Sequence, residues 1–209
     1  MSEFNNKTVI FANGAVPEHS FPLQALNGAK RIICCDGAVD KLICLGYEPD
    51  WIIGDLDSIS DAVRERYEER IIAAPDQSRN DLTKAFKLCL ERGWRDIVVT
   101  GATGGREDHT LGNLSLLVDF ARQLNIVLLS DSGCFIPLTD SISIDAEPGQ
   151  QVSIFSFDPE SSISSTGLKY PLNGIKLNRW WQASLNEAVE SSISLEFVGG
   201  PLLVFLNYR

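Results

Sequence analysis

Ile97-Val98-Val99-Thr100-Gly101-Ala102-Thr103-Gly104-Gly105-Arg106-Glu107-Asp108-His109 runs from an apolar stretch through a glycine-rich loop into a helical pattern. The β-branched run predicts a buried strand over 96–100. Beyond the loop, Leu111, Leu114, Leu117, Val118, Ala121 and Leu124 make a wide apolar face, which predicts a well-buried helix. Free N–H groups in such a strand-to-helix loop can cradle phosphate oxygens, and Arg106 adds a forked cation suited to phosphate. The loop lacks the Gly-Lys-Ser/Thr ending of a Walker A motif and the spacing of a dinucleotide fingerprint. Read alone, a tight connection competes evenly with a phosphate site.

Three more aspartate-bearing signatures stand where strands should end. They are Cys34-Cys35-Asp36-Gly37-Ala38, Gly54-Asp55-Leu56-Asp57-Ser58 and Asp76-Gln77-Ser78-Arg79-Asn80-Asp81. In an open α/β sheet, ligands bind outside the carboxyl ends of the strands. Carboxylates gathered there suit a hard divalent cation, most often Mg²⁺ shared with phosphates. Singly, Asp57-Ser58 reads as a helix cap, and Asp81 with Lys84 as an ion pair on a helical first turn. The four signatures together favour the metal reading. His109, beside Asp108, is compatible with a site or with a helix terminus, and His19 reads as a surface residue.

Strands are expected at 9–12, 31–35, 51–53, 71–74, 96–100 and 126–129, and helices at 39–45, 61–69, 81–92 and 107–124. Leu82, Ala85, Phe86, Cys89 and Leu90 give the third helix its stripe, with Asn80 as N-cap and Gly93 as terminator. This alternation predicts a Rossmann-like α/β fold, a mostly parallel sheet with helices on both faces. From about Gly133 the pattern becomes period-two, as in Val152-Ser153-Ile154-Phe155-Ser156-Phe157, broken by Gly, Pro, Ser and Asn. That predicts a small antiparallel β-sandwich. Domains are therefore expected at 1–131 (α/β) and 132–209 (β-sandwich), each small enough to want a packing partner.

The net charge of −10 over 209 residues argues against a nucleic-acid or anionic-membrane partner. It is compatible with a nucleoside polyphosphate only through metal ions, which again points to Mg²⁺. The five cysteines form no Cys-x-x-Cys pair and read as reduced core residues. The first residues, Met1-Ser2-Glu3-Phe4-Asn5-Asn6, show no signal-peptide pattern, so a soluble, cytoplasmic protein is expected.

The signatures Asp36-Gly37-Ala38, Gly54-Asp55-Leu56-Asp57-Ser58, Asp76-Gln77 with Asp81 and Lys84, Gly104-Gly105-Arg106 with Asp108-His109, and Gly167-Leu168-Lys169-Tyr170-Pro171-Leu172 occur in the order seen in thiamine pyrophosphokinases. The chain resembles that family over nearly its whole length. The resemblance implies transfer of a pyrophosphoryl group from ATP to thiamine, giving thiamine diphosphate and AMP, by a homodimer with thiamine near the subunit interface. It implies Mg²⁺ on Asp55, Asp57 and Asp81, and catalytic roles for these three and Asp108. ATP would meet Asn13, Gly14, Asp36, Lys84, Gly104, Gly105 and Arg106, and thiamine would meet Gln77, Tyr170, Ser184 and Asn186. Asp81 and Asp108 are alternative proton acceptors. Leu185 stands where relatives commonly have Ser, Asn80 where many have Thr, and Trp180-Trp181 is an unfamiliar pair. Two other readings compete. A diphosphokinase for a hydroxymethylpterin would lack the Gly167-Leu168-Lys169-Tyr170 and Asn186-Glu187 elements, and a non-catalytic thiamine or nucleotide sensor would be favoured by loss of a metal carboxylate.

Overall fold

Six parallel strands form the sheet of the first unit in a computed structural model that describes residues 4–208. They are β1 (Thr8–Phe11), β2 (Arg31–Cys35), β3 (Trp51–Gly54), β4 (Ile71–Ala73), β5 (Asp96–Thr100) and β6 (Asn125–Leu129), in the spatial order β6-β5-β1-β2-β3-β4. All four residues of β1 and the last four of β5 are buried, as expected of strands covered on both faces. The helices are α1 (Ser20–Asn27), α2 (Val39–Cys44), α3 (Asp61–Arg66), α4 (Asp81–Glu91) and α5 (Glu107–Phe120). The chain steps from β1 to β4 in one direction, then returns through α4 to β5 and on to β6. Right-handed crossovers therefore put α1–α3 on one face and α4 and α5 on the other. The reversal makes the gap between β1 and β5 the topological switch point, where an open sheet forms its ligand crevice.

The chain divides into two compact units: one runs to Leu116 and includes Gln123–Asp131, and the other contains Leu117–Arg122 and the residues from Ser132 onward. The second unit holds two antiparallel sheets. One orders β12 (Asn186–Glu187), β9 (Gln151–Ser156), β14 (Leu202–Asn207) and β7 (Gly133–Leu138). The other orders β11 (Ile175–Lys176), β10 (Ser162–Thr166), β13 (Ser192–Val198) and β8 (Ile142–Asp145). Val152, Ile154, Leu202 and Val204 of the first sheet share one buried cluster with Ile163, Ile193 and Leu195 of the second. That is a sandwich core.

Four expectations need correction. The sequence reading named no helix between β1 and β2, yet α1 lies there, with Pro22 buried in its first turn, where proline is tolerated. His19, read as a surface residue, is half-buried and caps that helix, its Nδ1 accepting from the Phe21 N–H at 3.3 Å. The helix expected to be well buried, α5, buries only Leu117 and Val118, and Leu111 is 53% exposed. Its N-terminal half carries a polar stripe instead. Cys34, Cys35 and Cys89 are buried, whereas Cys44 is exposed and not a core residue. Burial pushes the Cys89 thiol up to about 12 and that of Cys35 higher, so both stay protonated.

Candidate active site

The switch point is built by two loops locked together. The ladder between β1 and β5 continues beyond both strands: the Ala12 N–H donates to the Thr100 carbonyl at 2.9 Å, that of Gly14 to Gly101 at 2.5 Å, and that of Ala15 to Thr103 at 2.8 Å. A Cβ on Gly14 would lie 2.5 Å from the Thr103 carbonyl oxygen, so only glycine lets the loops approach this closely. Lys41 of α2, which the sequence reading did not single out, fixes the first loop from the other side. Its ammonium donates to Asn13 Oδ1 and the Gly14 carbonyl, each at 2.8 Å, and to the Asn13 carbonyl at 3.3 Å.

A crevice of about 470 Å³ opens between these loops and the start of α4. Its wall includes Asn13, Gly14, Asp55, Gln77, Asp81, Lys84, Gly105 and Arg106. Gly104, Asp36, Asp57 and Asp108, also expected at the site, are not on the wall. Arg79, Asn80, His109, Thr110 and Asn113 line it as well. Of these, Arg106, His109, Thr110 and Asn113 fall at i, i+3, i+4 and i+7, a polar stripe at helical period that could have been read beside the apolar one. Asn113 ties the crevice together: its amide donates to the Ala102 carbonyl at 2.9 Å and accepts from Asn80 Nδ2 at 3.3 Å. Asn80 also caps α4 by accepting from the Thr83 N–H at 2.9 Å, so its amide both caps and cross-links.

At the crevice margin, carboxylate oxygens of Asp36, Asp55 and Asp57 lie within 4.8 Å of one another. Asp36 leaves the end of β2 and is buried. Its Oδ1 accepts from the Gly37 N–H at 2.6 Å and its Oδ2 from the Leu56 N–H at 2.7 Å. Gly54 makes room for it, since a Cβ there would stand 2.4 Å from Asp36 Cγ. Burial pushes the Asp36 carboxyl up to about 6 against those two hydrogen bonds, and the charges of Asp81 and Asp55 act in the same direction as burial. A hydrogen bond with Asp57 holds the Asp55 carboxyl below the usual carboxylate range, outweighing its partial desolvation. Leu56, between the two, has a φ of 68°. A left-handed non-glycine residue costs about 1–2 kcal/mol and persists only where its surroundings hold it.

Asp81, expected with Asp55 and Asp57 on the metal, is ion-paired with Lys84 at 2.9 Å. Lys84 is only 6% exposed. Burial opposes its charge, but the hydrogen bond to Asp81 and the fields of Asp55 and Asp36 hold the ammonium above its ordinary value. Arg106 grips Asp108 through both carboxylate oxygens, at 3.1 and 2.6 Å. That grip, with the His109 N–H, holds the Asp108 carboxyl down to about 2, and both side chains are exposed. The chemistry assembled here is a hard oxygen-donor set beside cations and free N–H groups.

In the second unit, Tyr170 is 63% exposed. Asn186 is buried beneath it: its Nδ2 donates to the Tyr170 carbonyl at 2.8 Å, and its Oδ1 accepts from the Tyr170 N–H at 3.1 Å. The Ser184 hydroxyl donates to the Trp181 carbonyl at 2.8 Å. Asn186 and Ser184 thus spend their polar atoms on backbone, while Tyr170 presents its ring. Leu185 is left-handed, with a φ of 57°, and 78% exposed. Trp180 packs on Phe157 with ring centroids 5.4 Å apart, whereas Trp181 is 73% exposed.

The thiamin pyrophosphokinase catalytic-domain family matches residues 23–128, and the thiamin pyrophosphokinase substrate-binding-domain family matches residues 133–205. The chain belongs to the thiamine pyrophosphokinase family. Thiamin pyrophosphokinase 1 of Caenorhabditis elegans is 32% identical over 167 residues, covering 72% of this chain and 68% of that protein. Thiamine pyrophosphokinase of Bacillus subtilis is 31% identical over 182 residues, covering 79% of this chain and 84% of that protein. The crystal structure of the Bacillus subtilis thiamine pyrophosphokinase superposes with a TM-score of 0.79 at 26% identity, covering 97% of this chain and all of the other. Yeast thiamin pyrophosphokinase, 18% identical, shares the fold with a TM-score of 0.77 over 98% of this chain and 87% of its own.

Proposed function

We propose that this chain carries the reaction of its family, moving the pyrophosphoryl group of ATP onto the hydroxyl of thiamine at the switch-point crevice. The observation that carries the reading is the convergence of Asp36, Asp55 and Asp57 beside a crevice lined by Gly105, Arg106 and Lys84. Three carboxylates offering hard oxygen donors fit Mg²⁺. Asp55 and Asp57 would hold it, with Asp36 beside them. When bound, the ion would neutralise charge on the phosphate oxygens of ATP.

The residues of the chain do the rest. Arg106, with the N–H group of Gly105, holds phosphate oxygens, Gly104 shapes the turn that presents them, and Asn13 and Gly14 form the opposite wall of the nucleotide site. Occupation of that site asks Arg106 to share or release Asp108. The thiamine hydroxyl oxygen attacks the β-phosphorus in line. The bond from that phosphorus to the α,β-bridging oxygen breaks, and AMP leaves with the oxygen. The hydroxyl proton passes to Asp81, which lines the crevice, whereas Asp108 does not. Lys84 balances the charge on Asp81. Thiamine is a cation, so the acidic chain suits it directly. Gln77 offers it an amide, and Tyr170, held from below by Asn186 with Ser184 bracing the adjacent turn, offers an aromatic face for a cationic ring. The two domains divide at residue 131, with ATP on the first and thiamine chiefly on the second, Gln77 reaching it from the first. The chain acts as a cytoplasmic homodimer, without nucleic acid or membrane. Among the described residues no helix is long and apolar enough to cross a membrane.

Asp57→Asn removes a ligand charge at almost constant volume and should lower turnover on the order of 10²–10³-fold at limiting Mg²⁺. Asp61→Asn, at the exposed start of α3, should be nearly silent. Steady-state kinetics decides, and wild-type turnover in Asp57→Asn at limiting Mg²⁺ would remove the metal assignment.

A further inference from the structure

Leu56 is bulky, buried to 8% exposure and left-handed, a conformation that a leucine avoids. Both of its backbone polar groups are held from outside the turn. Its N–H donates to Asp36, and its carbonyl accepts from Arg64 Nη2 at 2.7 Å. Arg64 reaches it from α3, eight residues on. The residue is exposed as a whole, but its hydrogen bond is partly buried.

The platform behind Arg64 is itself fixed. Ser60 caps α3 by accepting from the Val63 N–H at 3.3 Å. Val63 and Tyr67 are buried, and the Tyr67 hydroxyl donates to Glu48 at 2.6 Å. The guanidinium is therefore offered from a set position, and the charge-assisted bond it makes is stronger than one between neutral groups. Asp36 alone cannot fix the turn, because it holds only the first peptide of Leu56; the peptide leading to Asp57 is held by Arg64.

We propose that Arg64 is a positioning residue for the divalent-cation site: it locks Leu56 in its left-handed state so that Asp55 and Asp57 stand together before the cation arrives. The inference rests on the reading of those two aspartates as ligands. Without the guanidinium the turn relaxes toward ordinary φ values, the two carboxylates no longer stand together, and only a fraction of molecules is binding-competent. Apparent affinity falls by that fraction. A role in gripping ATP would leave nucleotide-free cation binding untouched, so the two roles separate.

The test is titration with Mn²⁺ alone, without nucleotide, following free Mn²⁺ by electron paramagnetic resonance. Arg64→Ala and Arg64→Met should each raise the Mn²⁺ dissociation constant about tenfold. Arg64→Met keeps the apolar stem, so it carries the comparison if Arg64→Ala fails to fold. Arg64→Lys, with one donor group, should recover part of the loss. Arg66→Ala, on the same helix as Arg64, breaks an exposed ion pair to Glu48 and should bind as wild type. Wild-type affinity in Arg64→Met overturns the proposal and leaves the cation reading standing. Absence of saturable Mn²⁺ binding in the wild-type protein, matching Asp57→Asn, overturns both.

Discussion

Asp36 is the residue on which the carboxylate cluster is hung, and its position carries a cost. It is 3% exposed, and its carboxyl is pushed up to about 6 chiefly by burial. A carboxyl whose folded value lies above its unfolded one binds its proton more tightly in the folded state. The resulting stability is fully present below the unfolded value, about 3.9, and is lost as pH rises through about 6. Metal-free protein should therefore lose on the order of 2–3 kcal/mol between pH 4 and pH 7 from this group. Urea unfolding across that window should show the fall in the wild type and not in Asp36→Asn. Equal slopes in the two proteins would mean that Asp36 ionises without strain. Asp36 was legible in the sequence as an acidic residue expected at the ATP site, but its contact with the Leu56 N–H joins residues twenty apart and was not. Arg64 and Lys41 were hidden too, because the carbonyls of Leu56, Asn13 and Gly14 that they bind carry no side-chain signature.

At the scale of elements, the parallel strands were legible because plain apolar runs ending in Asp or Gly have few other readings. Helix α4 was legible through its stripe and its Asn80 cap, which the structure retains with a Thr83 N–H bond of 2.9 Å. The helix α1 was not, because its apolar face spans only eight residues and includes a proline. Helix α5 misled because its leucines suggested depth, while its first half serves the crevice with Arg106, His109, Thr110 and Asn113. The site was legible as four strand-end signatures, but which carboxylates meet depended on the left-handed Leu56 and on the Asp81–Lys84 pair. The end of β5 keeps one uncompensated group: Thr100 is fully buried and its hydroxyl has no partner among the described residues. Thr100→Val preserves shape and removes that orphan, so it should raise stability by about 1 kcal/mol. Chemical denaturation measures it, and a loss of stability would show that the hydroxyl is satisfied in solution.

For the whole molecule, the acidic balance and the exposed apolar surface of the second unit point to different partners. Tyr170, Trp180, Trp181 and Leu185 are exposed by 63%, 47%, 73% and 78% within sixteen residues of sequence. Exposed apolar groups clustered in this way mark a surface that meets something. The homodimer proposed above supplies it, and light scattering at micromolar concentration should give twice the 23.0 kDa of one chain. Trp181→Glu should shift the protein toward single chains, and a wild-type mass of one chain would remove the dimer. The charge of −10 suits a site that takes a cationic alcohol directly and a polyanion only with Mg²⁺. The central claim is that the bond broken lies between the α,β-bridging oxygen and the β-phosphorus of ATP. Incubation of the pure protein with ATP, Mg²⁺ and thiamine, followed by chromatographic identification of products, tests it directly. The account predicts AMP and thiamine diphosphate in equal amounts; ADP with thiamine monophosphate would contradict it.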